Sequence, residues 1–295
     1  MKQNIYDMVT QRILEQLDAG VVPWRKPWVE TILARSHRSG EPYSALNQML
    51  LLGKGGEWAT FKQIQDEGGH VKKGAKACPI VFWTVVKKDE LDENGREVVR
   101  PILRWYNVFH LGDVEGVETK HINTQRFPNI LNPIENAEKV WRDYCRREGI
   151  TILNDSFRDR AFYSTDDRIE LPNIAQFAEI SKYYSTVFHE CVHSTGHKSR
   201  LKRDMTGKEG TKKYAQEELV AEIGAAMLCS LLGLTTDESL NNSAAYIKLW
   251  RDRIADDNKL IVVAAGRAQK AVEYILGTEY YNALQGLAEV AEATA

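Results

Sequence analysis

In the stretch TVFHECVHSTGHKSR, which begins at Thr186, two histidines and a glutamate have the types and spacing of a metal-assisted hydrolytic site. His189 and His193 stand four residues apart, so on a helix both imidazoles can reach one ion. Glu190 follows the first histidine and would lie beside the open coordination position, where its carboxylate can act as catalytic base for water. A zinc ion that keeps room for water needs a third protein ligand. One solution places a histidine three residues after a glycine, but beyond Gly196 that position is Ser199, and His197 lies just past a helix-ending glycine. The other takes a glutamate from a later helix. YAQEELVAEIGAAML offers Glu218 and Glu222, four apart, with Ala221, Ala225 and Ala226 allowing close helix packing. We expect Glu218 to be the third ligand and Glu222 to orient a ligand histidine. The expected cofactor is one zinc ion per chain, with another divalent transition metal as the alternative. The competing reading is a pair of ordinary histidines and a solvated acidic helix face. Leu219, Ile223 and Met227 beside the glutamates make that face too apolar.

These residues need elements to hold them. Tyr184, Val187, Phe188, Cys191 and Val192 form one apolar stripe, which predicts a helix over about 176–195, followed by helices near 214–232, 242–255 and 259–276. Before them ITILND, RAFYSTD and DRIELPN read as short strands, and PIENAEKVWRDYCRREG as a helix closed by Gly149. The strand Asp167–Leu171 is expected at the sheet edge over the metal, where an extended peptide could pair.

The first part of the chain reads differently. Ile5, Val9, Ile13 and Leu17 predict a first helix ended by Gly20, and short helices follow near 47–52 and 60–67. PIVFWTVVKK and RPILRWYNVFHL are β-rich runs around an Asn94-Gly95 hairpin signal. Residues 1–88 hold 13 Lys and Arg against 8 Asp and Glu, an excess interleaved with aromatics. Trp24, Lys26, Trp28, Arg35, Tyr43, Trp58, Lys62, Lys72, Lys73 and Lys76 are the candidates for single-strand binding, in which bases stack on rings and cations follow phosphates. Tryptophans beside prolines also occur in cores, so the pattern alone leaves both readings open.

The chain as a whole, 295 residues with 43% hydrophobic and 27% charged residues and a net charge of −2, is that of a globular protein. No run is apolar enough to span a bilayer, and four scattered cysteines without a C-x-x-C pair favour reduced thiols. A cytoplasmic location is expected, with no membrane association; the oligomeric state is left open.

Both halves resemble the ArdC-type antirestriction proteins of conjugative plasmids and related mobile elements. The likeness rests on VPWRKPW, EPYSALNQMLLL, WATFKQIQDEGGHVKKGAKACPIVFW and YNVFHLGDVEGV in the first half. In the second it rests on YYSTVFHECVHSTGHKSRLKRD, YAQEELVAEIGAAMLC and AQKAVEYIL. The resemblance implies an α+β chain, with a mixed α/β single-stranded-DNA-binding domain over 1–125 and a linker over 126–135. A zincin-like metallopeptidase domain of the gluzincin kind would follow over 136–280, with a small sheet and the H-E-x-x-H helix, and then a tail over 281–295. It implies metal ligation by His189, His193 and Glu218, and DNA contact by the first domain, Asn47 included. One departure is visible: the family's Tyr-x-Gly-x-Asn element has Ala45 here, which narrows backbone freedom. The implied function is protection of incoming DNA in the host cell, with a peptide or protein as possible substrate. The alternatives are a non-enzymatic DNA-protecting protein with a structural or vestigial metal site, and a metalloprotease whose first domain binds protein.

Overall fold

The computed structural model describes residues 4–25, 33–52, 54–91, 97–121, 132–155, 159–234 and 243–285. α1 (Ile5–Asp18) forms where the sequence repeats apolar residues at helical spacing, and the Asn4 side chain accepts from the Tyr6 N–H at its start. β1 (Ala34–Ser36) leads to α2 (Ala45–Leu50), then β2 (Gly56–Ala59) and α3 (Phe61–Asp66). Thr60 and Gln63 close a capping box at the α3 N-terminus. A two-residue strand β3 (His70–Val71) precedes the long strands β4 (Cys78–Leu91) and β5 (Glu97–His110), and β6 (Val114–Glu115) pairs back on β3.

β4 and β5 form the antiparallel hairpin that the two β-rich runs predict; its Asn94-Gly95 tip lies outside the described residues. The four-stranded sheet has the order β1-β2-β5-β4, with β1 and β2 parallel and the other pairs antiparallel. The very short strands β1, β2, β3 and β6 carry too few residues for an alternation to be visible in the sequence.

The second half opens with α4 (Pro133–Glu148), whose C-cap Gly149 takes the left-handed conformation. β7 (Thr151–Asp155), β8 (Phe162–Ser164) and β9 (Arg168–Pro172) make a sheet of order β7-β9-β8. β9 is therefore the central strand, not the edge expected of Asp167–Leu171. Ile169 and Leu171 are buried, and β9 pairs with β7 on one side and β8 on the other. β8 is the edge that packs on the histidine helix.

Four helices complete the body: α5 (Ile180–Ser194), α6 (Lys212–Leu231), α7 (Ala244–Asp256) and α8 (Leu260–Leu276). α6 is apolar on nearly all sides because it lies between α5 and α8. A last helix, α9 (Thr278–Leu284), buries Tyr281 and Leu284, so the packed chain continues past the expected start of the tail at 281. Of the expected linker, 126–131 lies outside the described residues and 133–135 already belongs to α4. The architecture is α+β. No described helix is long and apolar enough to cross a membrane.

One apolar core joins the two halves. Val9, Ile13 and Leu17 of α1 and Met49 and Leu50 of α2 share it with Trp250 and Ile254 of α7 and with the buried face of α8. Polar contacts reinforce the seam: Thr10 Oγ1 donates to the Asn258 carbonyl at 2.9 Å, and the Ala45 N–H to Gln269 Oε1 at 3.0 Å.

Candidate metal centre

The apolar stripe of α5 is fully packed, with Val187, Phe188, Cys191 and Val192 at 0% exposure. Against it α6 presents small residues. A Cβ on Gly224 would come within 2.7 Å of the Val192 side chain, so a glycine is needed at the crossing. That close approach brings Glu218 on α6 to the two histidines on α5. His189 Nε2 and His193 Nε2 lie 3.1 Å apart, His193 Nε2 lies 3.4 Å from Glu218 Oε1, and His189 Nε2 lies 3.6 Å from Glu218 Oε2. Ligand atoms about 2.0–2.2 Å from a tetrahedral ion are separated by roughly 3.3–3.6 Å, so the three donors fit one ion. Two imidazole nitrogens 3.1 Å apart share a hydrogen bond when one is protonated, and both can turn their lone pairs to a cation that replaces that proton. Among the described residues this is the one group of at least three potential ligands that converge in this way.

The electrostatics agree. Burial alone would lower the His193 pKa, but hydrogen bonds to Glu217 and Glu218 and the nearby Glu190 push it up to about 10. Burial would likewise raise the Glu218 carboxyl, yet its contacts with His189 and His193 hold it well below the usual carboxylate range. The site is a pocket of negative potential suited to a cation.

Glu190 is 7% exposed, and its Oε2 accepts a 2.8 Å hydrogen bond from the Tyr163 backbone N–H of edge strand β8. It faces a cavity of about 380 Å³ that it shares with His189, Ser185, Ala225 and Arg160. The strand is itself held in place. Arg200, buried, donates to the Ser194 carbonyl at the end of α5, to Asp167, and to the Tyr163 hydroxyl at 3.1 Å. His197 turns to Ser199 Oγ at 2.7 Å and takes no part in the ligand group.

The carboxylate that meets His193 is Glu217 and not Glu222, which corrects the expected partner of the histidines. His193 Nδ1 lies 3.2 Å from Glu217 Oε1, and Arg203 donates to both oxygens of the same carboxylate at 2.6 and 2.9 Å. Burial pushes the Glu217 carboxyl upward, but its His193 and Arg203 bonds outweigh this and lower its pKa. Glu222 sits one turn further along α6. There its Oε2 accepts from the Tyr246 hydroxyl at 2.7 Å and faces Arg25 at 3.8 Å. It lines the cavity, with Tyr246 rather than His189 or His193 as its hydrogen-bond partner.

The first-half candidates divide by burial. Trp24 is wholly buried, with its indole edge-on to Trp250 at 5.8 Å and its Nε1 donating to the Tyr246 hydroxyl. Trp58 packs in a second apolar cluster and donates to the Lys54 carbonyl. Arg35 is buried and donates to the Gly40 carbonyl. Asn47 is buried as well: Nδ2 donates to the Val81 carbonyl at 2.8 Å and Oδ1 accepts the Val81 N–H at 2.9 Å, clipping α2 to β4. These four are interior residues, contrary to their expected place on a DNA-contact surface. Ala45, in turn, is the first residue of α2 and needs no glycine-like freedom. Tyr43 is half-buried, whereas Lys62, Lys72, Lys73 and Lys76 are exposed. Lys26 and Trp28 lie outside the described residues.

Comparison with known proteins follows the same division of the chain. Residues 3–109 match the family of the N-terminal domain of anti-restriction factor ArdC, and residues 139–267 match the zincin-like metallopeptidase family. The crystal structure of the antirestriction ArdC protein from the R388 plasmid is 33% identical in its metal-free form, with a TM-score of 0.67. The similarity covers 97% of this chain and 100% of that one. The Mn(II)-bound form of that protein gives a TM-score of 0.69 over 92% of this chain and 97% of the other. A DNA primase TraC of Escherichia coli is 32% identical over 94% of this chain, which spans only 20% of the primase's length. An uncharacterized protein of Sinorhizobium fredii is 30% identical, with 92% of this chain and 91% of the relative covered. With both family domains in order and the ligand group assembled in the second, the chain belongs to the ArdC family of antirestriction proteins.

Proposed function

We propose that this protein protects incoming mobile-element DNA by binding its single strands through the N-terminal half. Its second half carries a peptidase-type site with one zinc ion on His189, His193 and Glu218. The convergence of those three donors, with Glu190 on the same helix, carries the reading of the second half. Two histidines and one carboxylate are the donor set of open catalytic zinc sites. When bound, such an ion supplies Lewis acidity toward a carbonyl oxygen.

The chain's own residues supply the rest. Glu190 takes the proton of the attacking water, and the Tyr163 N–H fixes the carboxylate that receives it. Arg200 and Asp167 hold the strand bearing that N–H. The cavity along Arg160 and Ala161 is where a peptide in extended form lies. Glu217 and Arg203 fix the ring of His193.

The test of the second half is metal analysis of the purified protein. Near one zinc per chain is expected, retained in Glu190→Gln and lost in Glu218→Ala; full occupancy in Glu218→Ala would sink the ligand assignment. For the first half, a labelled oligonucleotide should bind as a single strand in preference to duplex, more weakly as salt rises. Salt-insensitive binding, or equal affinity for duplex, would count against it.

A further inference from the structure

Globular proteins seldom leave several large apolar side chains exposed together unless something docks on them. β4 and β5 do so. Near the body of the domain their side chains are covered: Ile80, Val81, Leu103 and Val108 are buried. Phe82, Ile102 and Tyr106, by contrast, are 38–42% exposed. Residues directly opposite on an antiparallel pair share a face. Phe82 stands opposite Arg104, Thr84 opposite Ile102, Val86 opposite Arg100 and Ile80 opposite Tyr106. One face of the ribbon therefore carries Arg100, Ile102, Arg104, Phe82 and Tyr106, with the last two rings 5.1 Å apart. The reverse face carries Trp83, Val85, Pro101 and Trp105, which are also exposed, and its one cation, Lys87, stands further out opposite Val99 rather than between the rings. From Pro79 to Val86 and from Arg100 to Phe109, the only charged residues are Arg100 and Arg104.

We propose that the face of the β4–β5 ribbon bearing Phe82, Tyr106, Arg100 and Arg104 is the seat of the nucleic-acid strand. Bases stack on Phe82 and Tyr106, and Arg100 and Arg104 meet the phosphates. This rests on the single-strand reading given above. Exposed rings alternating with cations, and no carboxylate among them, suit a polyanion with unpaired bases better than a protein surface. A base pair in duplex would not offer its face to either ring. The assignment also replaces the buried Trp24 and Trp58 with rings that a ligand can reach.

The test is fluorescence anisotropy of a labelled oligothymidylate with the intact protein at several salt concentrations. Phe82→Ala with Tyr106→Ala should weaken binding at least about tenfold, while Tyr106→Phe, which keeps the ring, should bind as the wild type does. Arg100→Ala with Arg104→Ala should weaken binding and flatten the log–log salt slope by about 1.4, because two phosphates are no longer neutralised. Trp83→Ala with Trp105→Ala, on the reverse face, should stay within about twofold of the wild type, since stacking there is not part of the seat. If the wild type binds and the Phe82/Tyr106 pair is silent, the ribbon face is not the seat. The same holds if the loss follows substitution of Lys62, Lys72, Lys73 and Lys76 instead, or appears only in the Trp83/Trp105 pair. If the wild type binds no single strand at all, the single-strand reading falls and this assignment with it.

Discussion

The two halves display their functional side chains in opposite ways. Around His189, His193 and Glu218 each side chain is fixed by a helix, a neighbour and a packed wall, and the Gly224 crossing sets the distance between the helices. On the β4–β5 ribbon, Phe82, Arg104 and Tyr106 stand on a two-stranded platform with solvent beside them. An ion demands donors placed to a few tenths of an ångström, which only an over-determined interior provides. A polymer demands accessible area and charge, and tolerates loose side chains. On the proposed reading, chemistry is kept inside the helical body and adhesion outside it.

That contrast can be broken most sharply at Glu190. Glu190→Gln keeps shape but removes basicity, so any peptidase activity should fall at least ~10²-fold with metal content and oligonucleotide affinity unchanged. DNA protection should survive, because coating a strand needs no proton acceptor. Protection lost with DNA binding intact would tie proteolysis to the antirestriction role.

Next in size, Glu217→Ala should weaken metal affinity by about 10- to 100-fold, as a competitive chelator titration would show. Glu222→Ala should leave it nearly unchanged. A reversed order would return the orienting role to Glu222.

In the first half, Asn47→Ala should cost about 1–3 kcal/mol of stability by denaturant titration, since the buried Val81 N–H and carbonyl lose their partner. Affinity per folded molecule should hold. A specific loss of oligonucleotide binding without loss of stability would restore Asn47 as a contact residue.

The smallest effect concerns pH. Burial pushes the Glu57 carboxyl up, but bonds from His37 and from the His121 and Lys120 backbone outweigh it and lower its pKa below the ordinary 4.5. A depressed carboxylate contributes stability above its unfolded pKa and loses it as pH falls through the folded value. The slope of Tm against pH below about 4.5 should therefore be shallower in Glu57→Gln than in the wild type. Equal slopes would mean Glu57 contributes nothing to acid unfolding.

The convergence of His189, His193 and Glu218 was legible because its rule is local: histidines four apart on one helix, and a glutamate on the next long one. Glu217 was not, although it adjoins Glu218, because the rotation of α6 against α5 decides which neighbour meets His193 Nδ1. Arg203 and Arg200 lay in plain view in HKSRLKRD, a basic run after a helix end, where cations meet the last carbonyls. The long hairpin was legible from β-rich runs, but its exposure was not. Trp24 resembled a stacking residue until its partners Tyr246 and Trp250, distant in the chain, came beside it. Aromatic side chains serve cores and nucleic acids equally well, so composition could not sort Trp24 from Tyr106.

The core shared between the halves has a bearing on how the molecule can be divided. α1 and Trp24 come first along the chain, yet their packing against α7 and α8 makes them part of the helical body. Arg251 reaches Asp18 and Asn258 reaches Asp7 across the same seam. A fragment of the second half alone would therefore expose the apolar flanks of α7 and α8, and a fragment of the first half alone would carry an uncovered α1. A single protease nick between the halves should instead leave two pieces that copurify, held by α1 and the turn after it as by a built-in strap.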